Sequence, residues 1–447
     1  MFSRRRFLRS VATVPVFLPA AKRTLQQFHF LESPQSISWA AEPDKLTPGE
    51  AAYWKKVRSD FLIPSDEAFF NTATLGSMPR SVVEAFTTSA TELAATVAHW
   101  DYKPEHPDWF TGYRNYPVLM GKLAKLIHCD PDEVCTTQNA TFGMNFIAQG
   151  IDLQAGDEIV QTDQEHPGGS CGWLERAKRH GAVYRKVELP SPPNDPDEIV
   201  RRFAAVINSK TRVLAVPHMT SMLGIVLPVK RLTALAREKG ARHVFVALDG
   251  AQAIGHIPLD MRDLGCDAYF SSPHKWLLAP AGSGLLYIKR DRQKEIWTTL
   301  ASAAWADMDK GAYRFMQYGT GNLSVLKGYE AAIDYHENLG PDRVTRRIKQ
   351  LGDYLRGEIQ NIKGTTILSS VHPEMCAGIT TWRVEGVSGE AMVDTFWNNR
   401  KIRVRSMGGK NGVRQSTHIY NNEAEIDSML VLARELAAQQ GEVSKGE

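Results

Sequence analysis

Short apolar runs that alternate with longer amphipathic stretches are the feature of this sequence that most constrains its fold. The runs are apolar on successive residues, which is typical of strands buried on both faces of a parallel sheet. The stretches between them are long enough for crossover helices, so the order predicts an α/β fold. The clearest runs are 158–160, 213–216, 244–248 and 285–288.

The pattern changes in the last third of the chain. Helical stretches lengthen from about Lys327, strand-like runs follow at 378–384 and 402–404, and a helix is predicted from Glu423 onward. Near the other end, 51–60 has helical patterning. A chain of 447 residues is long enough for one large α/β domain with a smaller companion.

We therefore predict three structural parts after an N-terminal export signal. Residues 76–325 form a large doubly wound, mostly parallel sheet domain, and residues 326–447 form a smaller α+β C-terminal domain. Residues 41–75 form an N-terminal segment that packs on the small domain.

Residues 1–40 are predicted to be an export signal. Ser3-Arg4-Arg5-Arg6-Phe7-Leu8 precedes a charge-free run at 10–21, which is too short for a membrane span. The pattern resembles the twin-arginine signal, whose substrates cross the membrane folded. It predicts recognition by the twin-arginine export machinery, a periplasmic location and no stable membrane span. A disordered basic tail on a cytoplasmic protein is the alternative.

Charge and cysteine usage argue against two classes of protein. The chain has 53 basic and 50 acidic side chains, and removal of residues 1–40 would leave 47 and 49. No basic surface for nucleic acid is therefore expected. The five cysteines show no CxxC spacing, which argues against a structural metal site and a disulfide scaffold.

Chemistry-bearing residues concentrate at Asp249 and Lys275, 26 residues apart. Asp249 ends a buried run, where open α/β sheets bind ligands. Lys275 lies between His274 and Trp276, where loss of solvation would make its amine a nucleophile toward a carbonyl. An aspartate can in turn hold a ring nitrogen protonated. Pyridoxal phosphate needs these two groups.

The residues around Lys275 carry a family resemblance. The stretch 266–275, followed after six residues by Gly282-Ser283-Gly284, resembles the lysine signature of the class V aminotransferases, which are fold type I pyridoxal-phosphate enzymes. Pro273 departs from the small residue usual there. The resemblance implies that Lys275 forms an internal aldimine with the cofactor, that Asp249 contacts the ring nitrogen, and that His166 stacks on the ring; these three are the predicted catalytic residues.

Further segments match the family in order along the chain. The stretch 137–145 resembles its phosphate-binding turn and 319–322 resembles a turn that reaches the phosphate of a partner subunit, which implies a homodimer. The segment 413–421 resembles the one whose arginine binds a substrate carboxylate. The resemblance implies cofactor contacts from Lys275, Asp249, Gln252, His166, Ala140, Thr141, Thr220, Ser272, His274 and Thr320, and substrate contacts from Arg414 and Asn71.

The reaction is less constrained than the cofactor. We expect an aminotransferase-type reaction at the α-carbon of an amino acid or a derivative, with epimerisation or C–S/β-elimination as alternatives. The segments 217–224 and 71–76 resemble the isopenicillin N epimerase-like branch. Cysteine desulfurase activity is not expected, because 405–412 contains no cysteine nucleophile. A non-enzymatic binder of pyridoxal phosphate or amino acids is the remaining interpretation.

Overall fold

The computed structural model describes residues 47–99, 116–241 and 243–446. The predicted export signal and residues 41–46 lie outside the described residues. The helices are α1 (Pro48–Arg58), α2 (Arg80–Thr96), α3 (Pro117–Ile127), α4 (Ala140–Gly150), α5 (Pro167–His180), α6 (Pro196–Val206), α7 (Val229–Lys239), α8 (Met261–Leu264), α9 (Tyr313–Met316), α10 (Leu323–Leu339), α11 (Pro341–Gln360), α12 (Gly389–Arg400) and α13 (Glu423–Gly446). The strands are β1 (Ala68–Phe69), β2 (Val134–Thr137), β3 (Glu158–Thr162), β4 (Val183–Val187), β5 (Thr211–Pro217), β6 (Phe245–Asp249), β7 (Ala268–Ser271), β8 (Gly284–Ile288), β9 (Thr365–Ile367), β10 (Ile379–Val384), β11 (Ile402–Arg403), β12 (Arg405–Ser406) and β13 (Val413–Ser416).

A seven-stranded sheet forms the centre of the molecule, in the order β2-β8-β7-β6-β5-β3-β4. Strand β8 pairs antiparallel with β2 and β7, and the other pairs in the sheet are parallel. The four apolar runs correspond to β3, β5, β6 and β8. The predicted α/β fold is confirmed.

Strand β6 shows why these runs become central strands. Phe245, Val246, Ala247 and Leu248 have no exposed surface, and helices α4 and α7 both pack against this strand. A strand covered on both faces buries every side chain, so its sequence is apolar without alternation. The first polar residue, Asp249, then falls at the carboxyl edge of the sheet.

The small sheet has the antiparallel order β12-β13-β10-β9 and packs against α11. Helix α11 buries Val344, Ile348, Leu351, Leu355 and Ile359. Because these positions recur every three or four residues, they form one apolar stripe along the helix. That stripe fixes which side of α11 faces the small sheet.

The segment before the large sheet contacts the C-terminal part of the chain. Strand β1 pairs in parallel with β11, and Phe70 lies in the same hydrophobic cluster as Leu351 and Trp382. Helix α1 begins with a capping box between Thr47 and Glu50. No helix within the described ranges is both long and apolar enough to cross a membrane.

Helix α10 packs against the hydrophobic cluster of the central sheet. Leu326, Tyr329 and Ile333 of α10 belong to the cluster around the central sheet. The predicted boundary between residues 325 and 326 therefore falls inside a helix that packs with the large domain. Helical periodicity shows where α10 lies in the sequence, but it does not show which core its apolar face contacts.

Candidate active site

A cavity of about 260 Å³ lies at the carboxyl edge of the central sheet. Pro217 and Asp249, the last residues of β5 and β6, both line it, and Ser272 lines it directly after β7. This is where open parallel sheets place their ligands. Nine predicted site residues line the cavity: Ala140, Thr141, His166, Asp249, Gln252, Ser272, His274, Lys275 and Arg414.

Lys275 lies in a turn after β7, where its backbone N–H donates to the Ser272 carbonyl at 3.0 Å. Gly76 donates its N–H to the His274 carbonyl at 2.9 Å, and a Cβ at Gly76 would lie 2.0 Å from the Lys275 carbonyl oxygen. Glycine is therefore required for this approach. Burial lowers the pKa of Lys275 to about 8, against the opposing effect of Asp249. A substantial share of the amine is thus neutral near physiological pH.

Asp249 presents a buried carboxylate to the cavity. Its Oδ1 accepts the Ala251 N–H at 2.8 Å, which leaves Oδ2 to hold a ring N–H. Burial raises the pKa of Asp249, while the Ala251 N–H and the Lys275 charge oppose that rise. A Cβ at Gly169 would lie 2.5 Å from Oδ2, so a larger residue at this position would displace either α5 or the Asp249 carboxylate.

The start of α4 is the predicted phosphate site and borders the cavity. Asn139 caps the helix by accepting the Phe142 N–H at 3.1 Å, and the Ala140 N–H donates to Ser272 Oγ at 3.0 Å. Because that hydroxyl accepts from Ala140, its own proton remains available to donate. The N-terminus of a helix favours a phosphate through its free N–H groups and its dipole.

His166 caps α5 with its side chain. Its Nδ1 accepts the Gly168 N–H at 3.0 Å, so the proton of the neutral ring is on Nε2. Burial lowers the pKa of His166, and the charges of Lys275, Arg405 and Arg414 lower it further. The imidazole is therefore neutral at physiological pH and can pack on an aromatic ring.

Gln252 lines the cavity but is held by the protein at both ends of its amide. Its Nε2 donates to the Ala73 carbonyl at 3.0 Å, and its Oε1 accepts the Trp276 indole N–H at 2.7 Å. The second proton on Nε2 has no protein partner among the described residues and remains available to a group bound in the cavity. Trp276, stacked on His256, thus orients the amide.

Arg414 is almost fully buried and still charged. Its Nη1 donates to the Ser221 carbonyl at 2.7 Å, and its Nη2 donates to Asn71 Oδ1 at 3.2 Å and Thr74 Oγ1 at 2.9 Å. Its Nε is buried without a partner. Burial and the nearby Arg405 lower the pKa of Arg414 to about 9. A buried cation with an unused donor is suited to bind a carboxylate.

Two predicted contacts, Thr220 and Asn71, do not line the cavity of this chain, and their roles stay predictions. Thr220 is fully buried outside the cavity lining, and its hydroxyl accepts the Ile225 N–H at 3.0 Å. It stabilises the turn after β5, and the next residue, Ser221, lines the cavity. Asn71 is also absent from the lining, and its Oδ1 accepts a hydrogen bond from Arg414. Motif resemblance located both segments without showing which side chains face inward.

Thr320 is exposed and does not line the cavity of its own chain. Its predicted contact is with the site of a second chain, so that role stays a prediction.

Several lining residues were not predicted, among them Asn139, Ser221, Thr74 and Arg405. Asn139 directly precedes α4, the helix that follows the predicted phosphate-binding turn. Asparagine is a favoured N-cap residue, so its capping role could have been predicted from the sequence. The position of Arg405 depends on the register of β12 with β13 across a turn, and the apolar pattern of so short a strand does not specify that register.

The residues present fit pyridoxal phosphate. A Cβ at Gly168 would lie 2.5 Å from Thr141 Oγ1 and one at Gly169 would lie 2.5 Å from Asp249 Oδ2, so these glycines leave room for two predicted cofactor contacts. The cavity supplies an amine for an aldehyde, a carboxylate for a ring nitrogen and a helix N-terminus for a phosphate. It also keeps the Arg414 donor for a further anion.

Comparison with known proteins places this site in a family. The model of the family described as Aminotransferase class-V matches residues 69–429. The chain belongs to the class V aminotransferase family. It is 31% identical over 399 residues to the isopenicillin N epimerase of Streptomyces clavuligerus, covering 85% of this chain and 97% of that protein. It is 26% identical over 406 residues to a probable cysteine desulfurase of Methanothermobacter thermautotrophicus, covering 85% of this chain and 97% of that protein.

Solved structures agree with this assignment. A C-DES mutant with glycine covalently linked to the PLP cofactor has a TM-score of 0.76 at 27% identity and covers 84% of this chain and 98% of its own. The cystine C–S lyase C-DES in complex with its product cysteine persulfide has a TM-score of 0.72 at 27% identity. The match covers 83% of this chain and 98% of that one. The fold is that of the fold type I enzymes, and the cofactor of this class V enzyme is pyridoxal phosphate.

Proposed function

We propose that this protein removes the α-proton of an amino acid or an amino-acid derivative, with Lys275 as the base. The observation that carries the proposal is the grouping of Lys275, Asp249 and Arg414 around one cavity. When bound, pyridoxal phosphate supplies an electron sink for the negative charge that develops at the α-carbon.

Each of the three residues has a separate task in this proposal. Arg414 lines the cavity as a charged guanidinium, binds the α-carboxylate and so orients the substrate. Lys275 takes the α-proton, because its lowered pKa leaves the amine neutral and basic near pH 8. Asp249 keeps a proton on the ring nitrogen, and its burial strengthens that charge-assisted hydrogen bond.

The outcome depends on where the proton returns. An aminotransferase-type reaction, in which it returns to the cofactor carbon, is our first candidate. Return to the α-carbon from the opposite face gives epimerisation, and similarity to an isopenicillin N epimerase at 31% identity over 97% of its length favours this second candidate. Loss of a β-substituent makes the enzyme a lyase. The structurally similar C-DES is described as a cystine C–S lyase.

Cysteine desulfurase activity is the outcome that the cavity favours least. Its described lining contains no cysteine, and the five cysteines lie elsewhere, four of them buried. A desulfurase of this type needs a thiolate to accept sulfur. Sulfide release from cysteine remains part of the test, because cysteine desulfurases are among the relatives.

The test is the visible spectrum of the purified protein before and after addition of amino acids, with analysis of the products. A lasting pyridoxamine spectrum with a keto acid identifies a transaminase, whereas an unchanged cofactor with inverted amino acid identifies an epimerase. Loss of a side-chain group identifies a lyase. Absence of a cofactor band after pyridoxal phosphate is supplied would contradict the proposal.

A further inference from the structure

Two arginines face each other across the small sheet. In the antiparallel pair of β12 and β13, Arg405 lies directly opposite Arg414. Directly opposed residues project from the same face of such a pair, with Cβ atoms about 4.5–5.5 Å apart, and like charges there are destabilising. Both side chains line the cavity. Repulsion between two guanidinium groups at a cavity wall favours the binding of an anion that neutralises them.

The protein itself supplies no such anion. Arg414 donates to a backbone carbonyl, an amide oxygen and a hydroxyl, all of which are neutral. Within the described part of the chain, the side chain of Arg405 has no hydrogen-bond or ion-pair partner, while its backbone belongs to the β12–β13 pair. Asp249 is the only carboxylate among the described lining residues, and it faces Lys275 and the ring-nitrogen position.

The cofactor phosphate does not account for these two cations. The residues predicted to hold it, such as Thr141 and Ser272, belong to the start of α4 and the turn after β7 in the large domain. The arginines come from the small sheet. An α-carboxylate carries one negative charge, so it neutralises one guanidinium and leaves the other.

We propose that the substrate carries a second carboxylate and that Arg405 binds it, while Arg414 binds the α-carboxylate. This assignment rests on the proposed function, which gives Arg414 its carboxylate. Arg405 is then a specificity-determining residue that selects an acidic amino acid or an amino-acid derivative with a free acid group. Its exposed position suits a group that extends away from the reacting carbon.

The test measures binding without turnover. Calorimetry on the pyridoxal-phosphate-loaded protein compares succinate, glutarate and adipate with their monoamides, which have the same shape and one charge fewer. The variants are Arg405→Gln, Arg405→Lys and the control Lys410→Gln. Lys410 is exposed in the same loop and does not line the cavity.

We expect the wild-type protein to bind at least one dicarboxylate about tenfold or more tightly than its monoamide. A tenfold ratio of affinities corresponds to the free energy of one charge-assisted hydrogen bond. Arg405→Gln removes that preference and leaves the monoamide affinity unchanged, Arg405→Lys retains part of it, and Lys410→Gln retains all of it. Thermal melting verifies that each variant is folded.

Three results would overturn the proposal: no preference at any chain length, an undiminished preference in Arg405→Gln, or equal weakening of both ligands. The last would mean that both arginines share one carboxylate. Failure of the proposed function is separate, because it appears as absent amino-acid turnover in a protein whose dicarboxylate binding still depends on Arg405.

Discussion

At the scale of single residues, Lys275 determines how the protein captures its cofactor. At pH 8 about half of an amine with a pKa near 8 is neutral, compared with about 0.3% at the ordinary value of 10.5. We predict that the rate at which apo protein takes up pyridoxal phosphate rises with pH to a midpoint near 8. Stopped-flow absorbance from pH 6.5 to 10.5 measures this.

The charges near Lys275 predict in which direction each variant shifts the pH midpoint of cofactor uptake. Arg414 lowers the pKa of Lys275, so Arg414→Gln should move the midpoint upward. Asp249 raises that pKa, so Asp249→Asn should move it downward. A midpoint near 10.5 in the wild-type protein, or a shift in the same direction for both variants, would contradict this electrostatic account.

Sequence predicts residues well where a motif and a strand end coincide. Asp249 and Lys275 could be located because the carboxyl ends of β6 and β7 are adjacent in the sheet. For Thr220 and Asn71 the motif predicts a segment but not the direction of the side chain, because the direction of a side chain in a turn depends on packing that the motif does not contain.

At the scale of elements, the close approach of α5 to β6 shapes the cofactor site. We predict that Gly169→Ala weakens pyridoxal-phosphate binding, because its Cβ would lie 2.5 Å from Asp249 Oδ2. Overpacking of this kind costs about 1–3 kcal/mol. Absorbance titration gives the affinity.

A second helical glycine provides the control for that variant. A Cβ at Gly121 in α3 would meet no atom within 4 Å. Gly121→Ala should therefore leave cofactor affinity unchanged and raise stability by about 0.5–1 kcal/mol, because glycine lowers helix stability. Equal cofactor affinity in the Gly169→Ala and wild-type proteins would show that α5 can shift without disturbing Asp249.

The elements differ in how far local sequence determines them. Strand β6 was predictable from five successive apolar residues and α11 from its helical spacing. The two-residue strand β12 was not, because its pairing with β13 spans a turn and decides by register alone that Arg405 faces Arg414. The fold was therefore more predictable than the substrate side of the site.

At the scale of the whole molecule, we propose a homodimer in which Thr320 reaches the partner's site. Thr320 is exposed and lies outside the cavity of its own chain. Thr320→Ala should therefore speed cofactor loss during dialysis, although Thr320 does not line the cavity of its own chain. Sedimentation velocity reports the assembly. A monomer that keeps its cofactor would refute this arrangement.

We also propose that the protein is exported in the folded state with its cofactor bound. Arg4→Lys together with Arg5→Lys should retain it in the cytoplasm, because the twin-arginine pair is the recognised address. Fractionation with N-terminal sequencing tests this. Wild-type protein found only in the cytoplasm with an intact N-terminus would contradict the proposal.

The central claim is that Lys275 moves the α-proton of an amino acid, and exchange of that proton in D₂O tests it most directly. Proton NMR of an amino-acid mixture, including acidic amino acids, should show loss of an α-proton signal with the wild-type protein and with Lys410→Ala. Lys275→Ala, verified as folded, should leave every α-proton in place. Exchange by Lys275→Ala at the wild-type rate, or no exchange by the cofactor-loaded wild-type protein, would contradict the account.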